Sequence, residues 1–294
     1  MTAPFGEVLT AIVTPFTADG AVDYGALWRL AKHLVASGSD GIVVAGTTGE
    51  SPTLTHEEKV AVFKAVVEAV GGSAAVVAGT GTNDTATTVE LTEQAAAVGC
   101  DGAMVVTPYY SKPPQRGLLS HFTTVADATE LPLILYNIPG RTARLIEIPT
   151  LVELAAHPRI VAVKDAVDDV VFTSRSIEAF GDQMAVYSGS DHLTLPMITA
   201  GAVGVISVAS HLVGPRVKEM VHAARAGDLA TASRLHRRML PLFDALFLEP
   251  NPIPLKGALG KAWEPVGRPR LPLLPALPET IDAVMAALGR AQEA

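Results

Sequence analysis

The sequence holds a single cysteine, Cys100, among 294 residues, which excludes an internal disulfide and any metal centre built on several thiolates. It also lacks a basic excess. Lysines and arginines number 22 against 30 aspartates and glutamates, a formal net charge of −8. No Lys/Arg run restores positive charge locally, so the attraction on which nucleic-acid binding depends is missing and no nucleic-acid partner is expected. Although 49% of the residues are hydrophobic, no apolar stretch reaches the ~18 residues that a membrane span requires. The opening MTAPFGEV has neither a basic n-region nor an apolar h-region, so a cytoplasmic, membrane-free protein is the expectation. The eight histidines show no His-x-His or His-Glu-x-x-His spacing. Asp191 beside His192 is the nearest approach to a metal pair, and no metal site is expected. GTTGES at 46–51 lacks the Gly-Lys-Ser/Thr ending of a Walker loop, and GTGTND at 79–84 lacks the third glycine of a dinucleotide fingerprint.

What the chain does have is a recurring unit. Short apolar, β-branched runs begin near Glu7, Gly41, Ala75, Gly102, Pro132, Ile160, Met184 and Gly204. Their spacing of 20 to 34 residues leaves room for one strand, one helix and two loops each time. Between them, 23–37 places Leu27, Leu30, Ala31 and Leu34 on one helical face, and 56–70 does the same with Val60, Phe63 and Val67. Thr55 followed by Glu58 reads as a capping box. Strands alternating with helices imply parallel pairing and right-handed crossovers, and near-continuous apolar strands imply burial on both faces. Eight units close most economically into a (β/α)8 TIM barrel, with a doubly wound sheet as the alternative. The expected organisation is a catalytic barrel over 1–225 and a C-terminal helical subdomain over 226–294. The proline-rich EPVGRPRLPLLPALP at 264–278 reads as a rigid connector between its helices.

In such a barrel the reacting groups sit at the C-terminal ends of the strands. The sixth strand ends at Lys164, and strict alternation puts Ile160, Ala162 and Lys164 on one face. An ammonium at the mouth of an apolar barrel loses hydration, which favours the neutral, nucleophilic amine that forms a Schiff base with a carbonyl. Snorkelling to solvent, or pairing with Asp165 or Asp168, is the competing reading. Tyr136, sharing a face with Ile134 on the fifth strand, is placed to pass protons, or merely to bond a backbone carbonyl. Thr47 and Thr48 lie in a turn whose glycines expose backbone N–H groups suited to a small carboxylate, though an ordinary strand-to-helix turn has the same pattern.

At these residues the chain resembles the dihydrodipicolinate synthase family, within the class I aldolase superfamily that includes N-acetylneuraminate lyase. LTAIVTPF, GTTGES, VTPYYSKP, LYNIPGRT, VAVKDA, GVISV and EPNPIPLK occur in the family's order and spacing, from residue 9 to residue 256. The resemblance implies a lyase of lysine and diaminopimelate biosynthesis that condenses pyruvate with L-aspartate 4-semialdehyde to 4-hydroxy-tetrahydrodipicolinate. It implies that Lys164 carries a covalent pyruvate imine with no other cofactor. It implies a proton relay of Tyr136, Thr47 and Tyr110, the last serving a neighbouring subunit within a homotetramer of tight dimers. Thr48 would hold the pyruvate carboxylate, Arg141 the carboxylate of the semialdehyde, and Gly189 and Ile206 would line the pocket with backbone groups. The chain departs from the family at Gly140, where serine is common, and at Asp165-Ala166-Val167-Asp168, where Glu-Ala-Thr-Gly is common. Of the residues that grip inhibitory lysine in some members, Ser51, His56, Asn83 and Tyr109 are kept, but Thr87 replaces a glutamate and Lys59 a histidine. Feedback by lysine is therefore expected to be weak or absent. Two other readings stand beside the synthase: an aldolase releasing pyruvate from a 2-keto-3-deoxy sugar acid or sialic acid, and a catalytically silent pyruvate-binding paralogue.

Overall fold

The computed structural model describes residues 2–292; residues 293 and 294, the end of the expected helical subdomain, lie outside the described residues, as does Met1. Eight strands, β1 (Val8–Ala11), β2 (Gly41–Val44), β3 (Ala75–Gly79), β4 (Gly102–Val106), β5 (Leu133–Asn137), β6 (Ile160–Asp165), β7 (Ala185–Ser188) and β8 (Gly204–Ser207), close into a parallel barrel in sequence order. Each is paired only with its sequence neighbours, and β8 closes onto β1. The expected strand positions and the TIM barrel are both found.

The first helices are α1 (Tyr24–Ala36), α2 (His56–Val70), α3 (Thr85–Ala97), α4 (Gln115–Asp127), α5 (Pro139–Thr142) and α6 (Ile148–Ala155). They are followed by α7 (Val170–Phe180), α8 (Thr194–Thr199), α9 (Ser210–Arg225), α10 (Leu229–Ala245), α11 (Ile253–Ala262) and α12 (Pro278–Gln292). Local chemistry explains their starts. Asp23 caps α1 by accepting from the Ala26 N–H, and Thr55 and Glu58 form the reciprocal capping box at α2. The core face of α1 is the expected one, with Leu27, Leu30, Ala31 and Leu34 buried. That of α2 is rotated: Val62, Phe63, Val66 and Val70 are buried while Val60 and Val67 are only partly covered. Valines and alanines lie all round this helix, so periodicity alone admits more than one face and packing between β2, β3 and α1 decides.

Along the strands, side chains alternate between an inner cluster and the outer clusters under the helices. Leu9, Val43, Val77, Met104, Ile134, Ala162 and Ile206 point inward. The expected single face of β6 is broken. The β5–β6 register slips between Leu133 and Ile134, so Leu133 pairs with Ile160 but Ile134 with Ala162. Ile160 consequently packs in the outer cluster, while Ala162 stays inward. Tyr187 plugs the N-terminal end of the barrel: its hydroxyl donates to Gly6 O (2.9 Å) and accepts from Phe5 N (3.2 Å).

The last helices are not an appendage in packing terms. One hydrophobic cluster runs from Val8 through α1, α2 and α9 to Ala291 of α12. The connector after α11 returns to the barrel at Arg270, whose guanidinium grips Glu58 and the Gly20 and Thr53 carbonyls.

Candidate active site

The bulge in β6 restores the phase that matters. Tyr136 and Lys164 are register partners on adjacent strands, both facing the barrel interior near its C-terminal end. Lys164 is 5% exposed, and its Nζ lies 4.3 Å from the centroid of the Tyr136 ring. Among the described residues it has no ion-pair partner. Asp165 points the other way and is occupied, accepting from Val167 N (3.0 Å) and Thr173 Oγ1 (2.7 Å). Burial raises the Asp165 carboxyl above the usual carboxylate range in spite of these bonds. Snorkelling and pairing are thus both absent at Lys164.

The Tyr136 side chain forms part of the wall of a cavity of about 250 Å³ over the strand ends, together with Thr47, Met104, Tyr109 and Arg141. A second cavity, of about 650 Å³, adjoins it through Ile138 and Arg141 and is lined by Asp168, Gly189, Ser190 and His192. Arg141 is exposed and borders both. Its loop is held from beneath: Asn137, fully buried, donates to Ile146 O (3.1 Å) and accepts from Ile146 N (3.0 Å). A side chain at Gly140 would meet open space, so the glycine there serves no packing need. Gly189 is different, because a Cβ would stand 2.7 Å from the Ala166 Cβ.

In the loop after β2 the two threonines lie between two residues at positive φ, Ala45 at 49° and Glu50 at 56°. Thr48 is buried, and its Oγ1 accepts from Asn251 Nδ2 at 2.9 Å. Glu50 is fixed from the C-terminal helices: Lys256 Nζ donates at 2.6 Å and Arg270 N at 2.9 Å. Burial pushes the Lys256 ammonium below its ordinary range, against the opposing pull of Glu50.

Of the residues expected from the sequence, Thr47, Tyr136 and Arg141 meet in one cavity, Lys164 lies beside Tyr136, and Gly189 borders the adjoining cavity. Thr48 and Ile206 are buried, and neither lines either cavity. Tyr110, at φ 70° and 91% exposed, points away from the cavity of its own chain, where Tyr109 stands instead. Asp191 and His192 diverge. Asp191 accepts from Ser207 Oγ (2.5 Å) and from Val208 N and Ala209 N, both at 3.0 Å, tying the β7 and β8 loops together. His192 bonds Asp244 instead. Nothing in local sequence marks Asn251 or Lys256 as site residues, because their partners lie more than 200 positions away.

A buried, unpaired lysine on the inner wall of a (β/α)8 barrel, beside a tyrosine at the strand ends, defines a lyase of the class I, Schiff-base aldolase type. Comparison with known proteins narrows this. The profile of the Dihydrodipicolinate synthetase family matches residues 4–291, and the chain belongs to that family. It is 51% identical over 286 residues to the 4-hydroxy-tetrahydrodipicolinate synthase of Synechococcus elongatus, covering 97% of this chain and 96% of that one. The synthase of Moorella thermoacetica is also 51% identical, over 97% of both chains. Among solved structures, the dihydrodipicolinate synthase of Bacillus anthracis superimposes with a TM-score of 0.95 at 45% identity, over 98% of this chain and 99% of that one. The lysine-bound enzyme of Cyanidioschyzon merolae gives 0.96 at 44% identity, over 99% of both. Among the described residues, no helix is long and apolar enough to cross a membrane.

Proposed function

We propose that the condensation of pyruvate with L-aspartate 4-semialdehyde, the reaction of this family in lysine biosynthesis, runs in this chain on an imine between Lys164 and pyruvate. The observation that carries the reading is the β5–β6 register: it sets a buried amine, with no carboxylate partner among the described residues, 4.3 Å from the ring of a phenol that walls the cavity. The Lys164 amine adds to the pyruvate ketone and expels water. The imine withdraws electrons from the methyl carbon, which loses a proton and becomes an enamine. The enamine carbon bonds to the aldehyde carbon, and the aldehyde oxygen takes up a proton. The amine of the second substrate then attacks the imine carbon and displaces Lys164, closing the ring as 4-hydroxy-tetrahydrodipicolinate. Each step moves a proton, which suits a chain of hydroxyls, Tyr136 with Thr47, better than one fixed base. The scheme calls on no metal or organic cofactor.

Thr48 holds the pyruvate carboxylate. Its N–H and that of Gly49 donate to no acceptor among the described residues, leaving a pair of backbone donors beside a hydroxyl. Arg141, between the two cavities, offers a bidentate fit to the carboxylate of the semialdehyde. Gly189 and Ile206 line the pocket with backbone. The exposure of Tyr110 supports its service to the relay of a second copy, in a cytoplasmic homotetramer of tight dimers. The test is reduction with borohydride in the presence of pyruvate. We expect one reduced pyruvate adduct, mapped by peptide mass to Lys164, and none in Lys164→Ala. An adduct elsewhere, or none in the native protein, refutes the scheme.

A further inference from the structure

EPNPIPLK is the motif to which the scheme above assigns no role. Asn251, its third residue, is 6% exposed and crosses 203 positions of sequence to donate from Nδ2 to Thr48 Oγ1 at 2.9 Å. A threonine hydroxyl has one proton and two lone pairs. With a lone pair taken by Asn251, its proton needs another acceptor, and none is present among the described residues. The Asn251 Oδ1 is itself buried without a partner. Turning the amide over would let Oδ1 accept the Thr48 proton and leave the NH2 unpaired instead, so the two orientations satisfy the same number of amide atoms. What separates them is the neighbour. Only with Nδ2 toward Thr48 does the threonine keep a proton for an anion.

We propose that Asn251 is a positioning residue for the condensation: by donating to Thr48 Oγ1 it turns the Thr48 hydroxyl proton toward the carboxylate of bound pyruvate. This rests on the reading of Thr48 as the carboxylate holder. The C-terminal helices thereby set the polarity of a hydrogen bond in the barrel mouth, while Lys256 and Arg270 hold the same loop through Glu50.

The experiment is a double-mutant cycle on Thr48→Val and Asn251→Ala in the full chain, with KM for each substrate and kcat measured for every variant. Asn251→Asp is added as the isosteric variant, since its ionised carboxylate can only accept the Thr48 proton. The expected result is a roughly three- to tenfold higher KM for pyruvate in Asn251→Ala and a larger rise in Asn251→Asp. KM for the semialdehyde stays within about twofold. In the Thr48→Val background, Asn251→Ala adds less than about twofold, because the group it orients is already gone. Effects of the two substitutions that simply multiply overturn the proposal and leave Asn251 a packing residue. So does an Asn251→Asp variant with the native KM for pyruvate, which remains decisive where Asn251→Ala fails to fold. A native KM for pyruvate in Thr48→Val alone overturns both the proposal and the role of Thr48 beneath it.

Discussion

The ion pair between Lys256 and Glu50 allows a stability prediction worked from geometry. Both side chains are 1% exposed, and Lys256 Nζ lies 2.6 Å from Glu50 Oε1 and 4.2 Å from the centroid of the Phe16 ring. Replacing Lys256 with methionine keeps most of the side-chain volume but strands a carboxylate in the interior, with the Arg270 N–H as its remaining close partner. Breaking a buried pair from one side costs about 3–5 kcal/mol, more than the pair itself contributes over an apolar replacement. For a chain of this size that corresponds to roughly 5–8 °C in Tm. The double variant Glu50→Gln, Lys256→Met removes the stranded charge and keeps an acceptor for Arg270, so it should recover at least half of the loss. Denaturant unfolding followed by circular dichroism, with Lys256→Met, Glu50→Gln and the double variant beside the native protein, measures both the loss and the recovery. A Lys256→Met variant within about 1 kcal/mol of native, or a double variant as unstable as the sum of its parts, would refute the reasoning.

Other consequences follow from the same structure. His211 is fully enclosed, accepting from Val13 N (3.2 Å) and donating to Val208 O (2.9 Å), and burial pushes it down to about 4. His121 is likewise pushed down to about 4 by burial. Between those values and 6.5 the unfolded chain binds more protons, so unfolding free energy should fall as pH drops through that window, by about 3 kcal/mol per ring. A flat stability profile between pH 6.5 and 4.5 contradicts this, and His211→Gln should shallow the slope. Arg141→Lys, which loses the planar fork, should raise KM for the semialdehyde about tenfold while borohydride trapping of pyruvate is unchanged; equal loss of trapping would place Arg141 on the first substrate instead. Lysine should inhibit weakly or not at all, because Thr87 stands where a glutamate would grip its ammonium and the charge of Lys59 would repel a cationic ligand; a sub-millimolar inhibition curve sinks that expectation.

The site was legible in sequence to the extent that its residues terminate strands. Lys164 and Tyr136 lie at the ends of apolar runs and Thr47 just after one, and a parallel barrel puts all such ends on one rim; Arg141 is singled out only through the resemblance to the family. Where several phases were compatible with one pattern, local periodicity failed. It misplaced the face of α2, whose apolar residues surround the axis, and it missed the slip that sends Ile160 outward while keeping Lys164 inward. The Gly189 contact with Ala166 is equally silent locally, since it depends on how closely the β6 and β7 loops approach.

By itself, then, the amino-acid sequence determined the alternation of strands and helices, the number of repeated units and the capping box at Thr55, because each depends on spacings of two to about thirty residues. Only the tertiary structure decided what holds the rim in its working shape. Asn251 on Thr48, Lys256 and Arg270 on Glu50, and Asp191 across to the β8 loop join residues 16 to 220 positions apart. Such bonds leave no period in the sequence. They exist because closing the barrel excludes water from buried polar groups, and each of those groups must then find its partner wherever the fold has brought one.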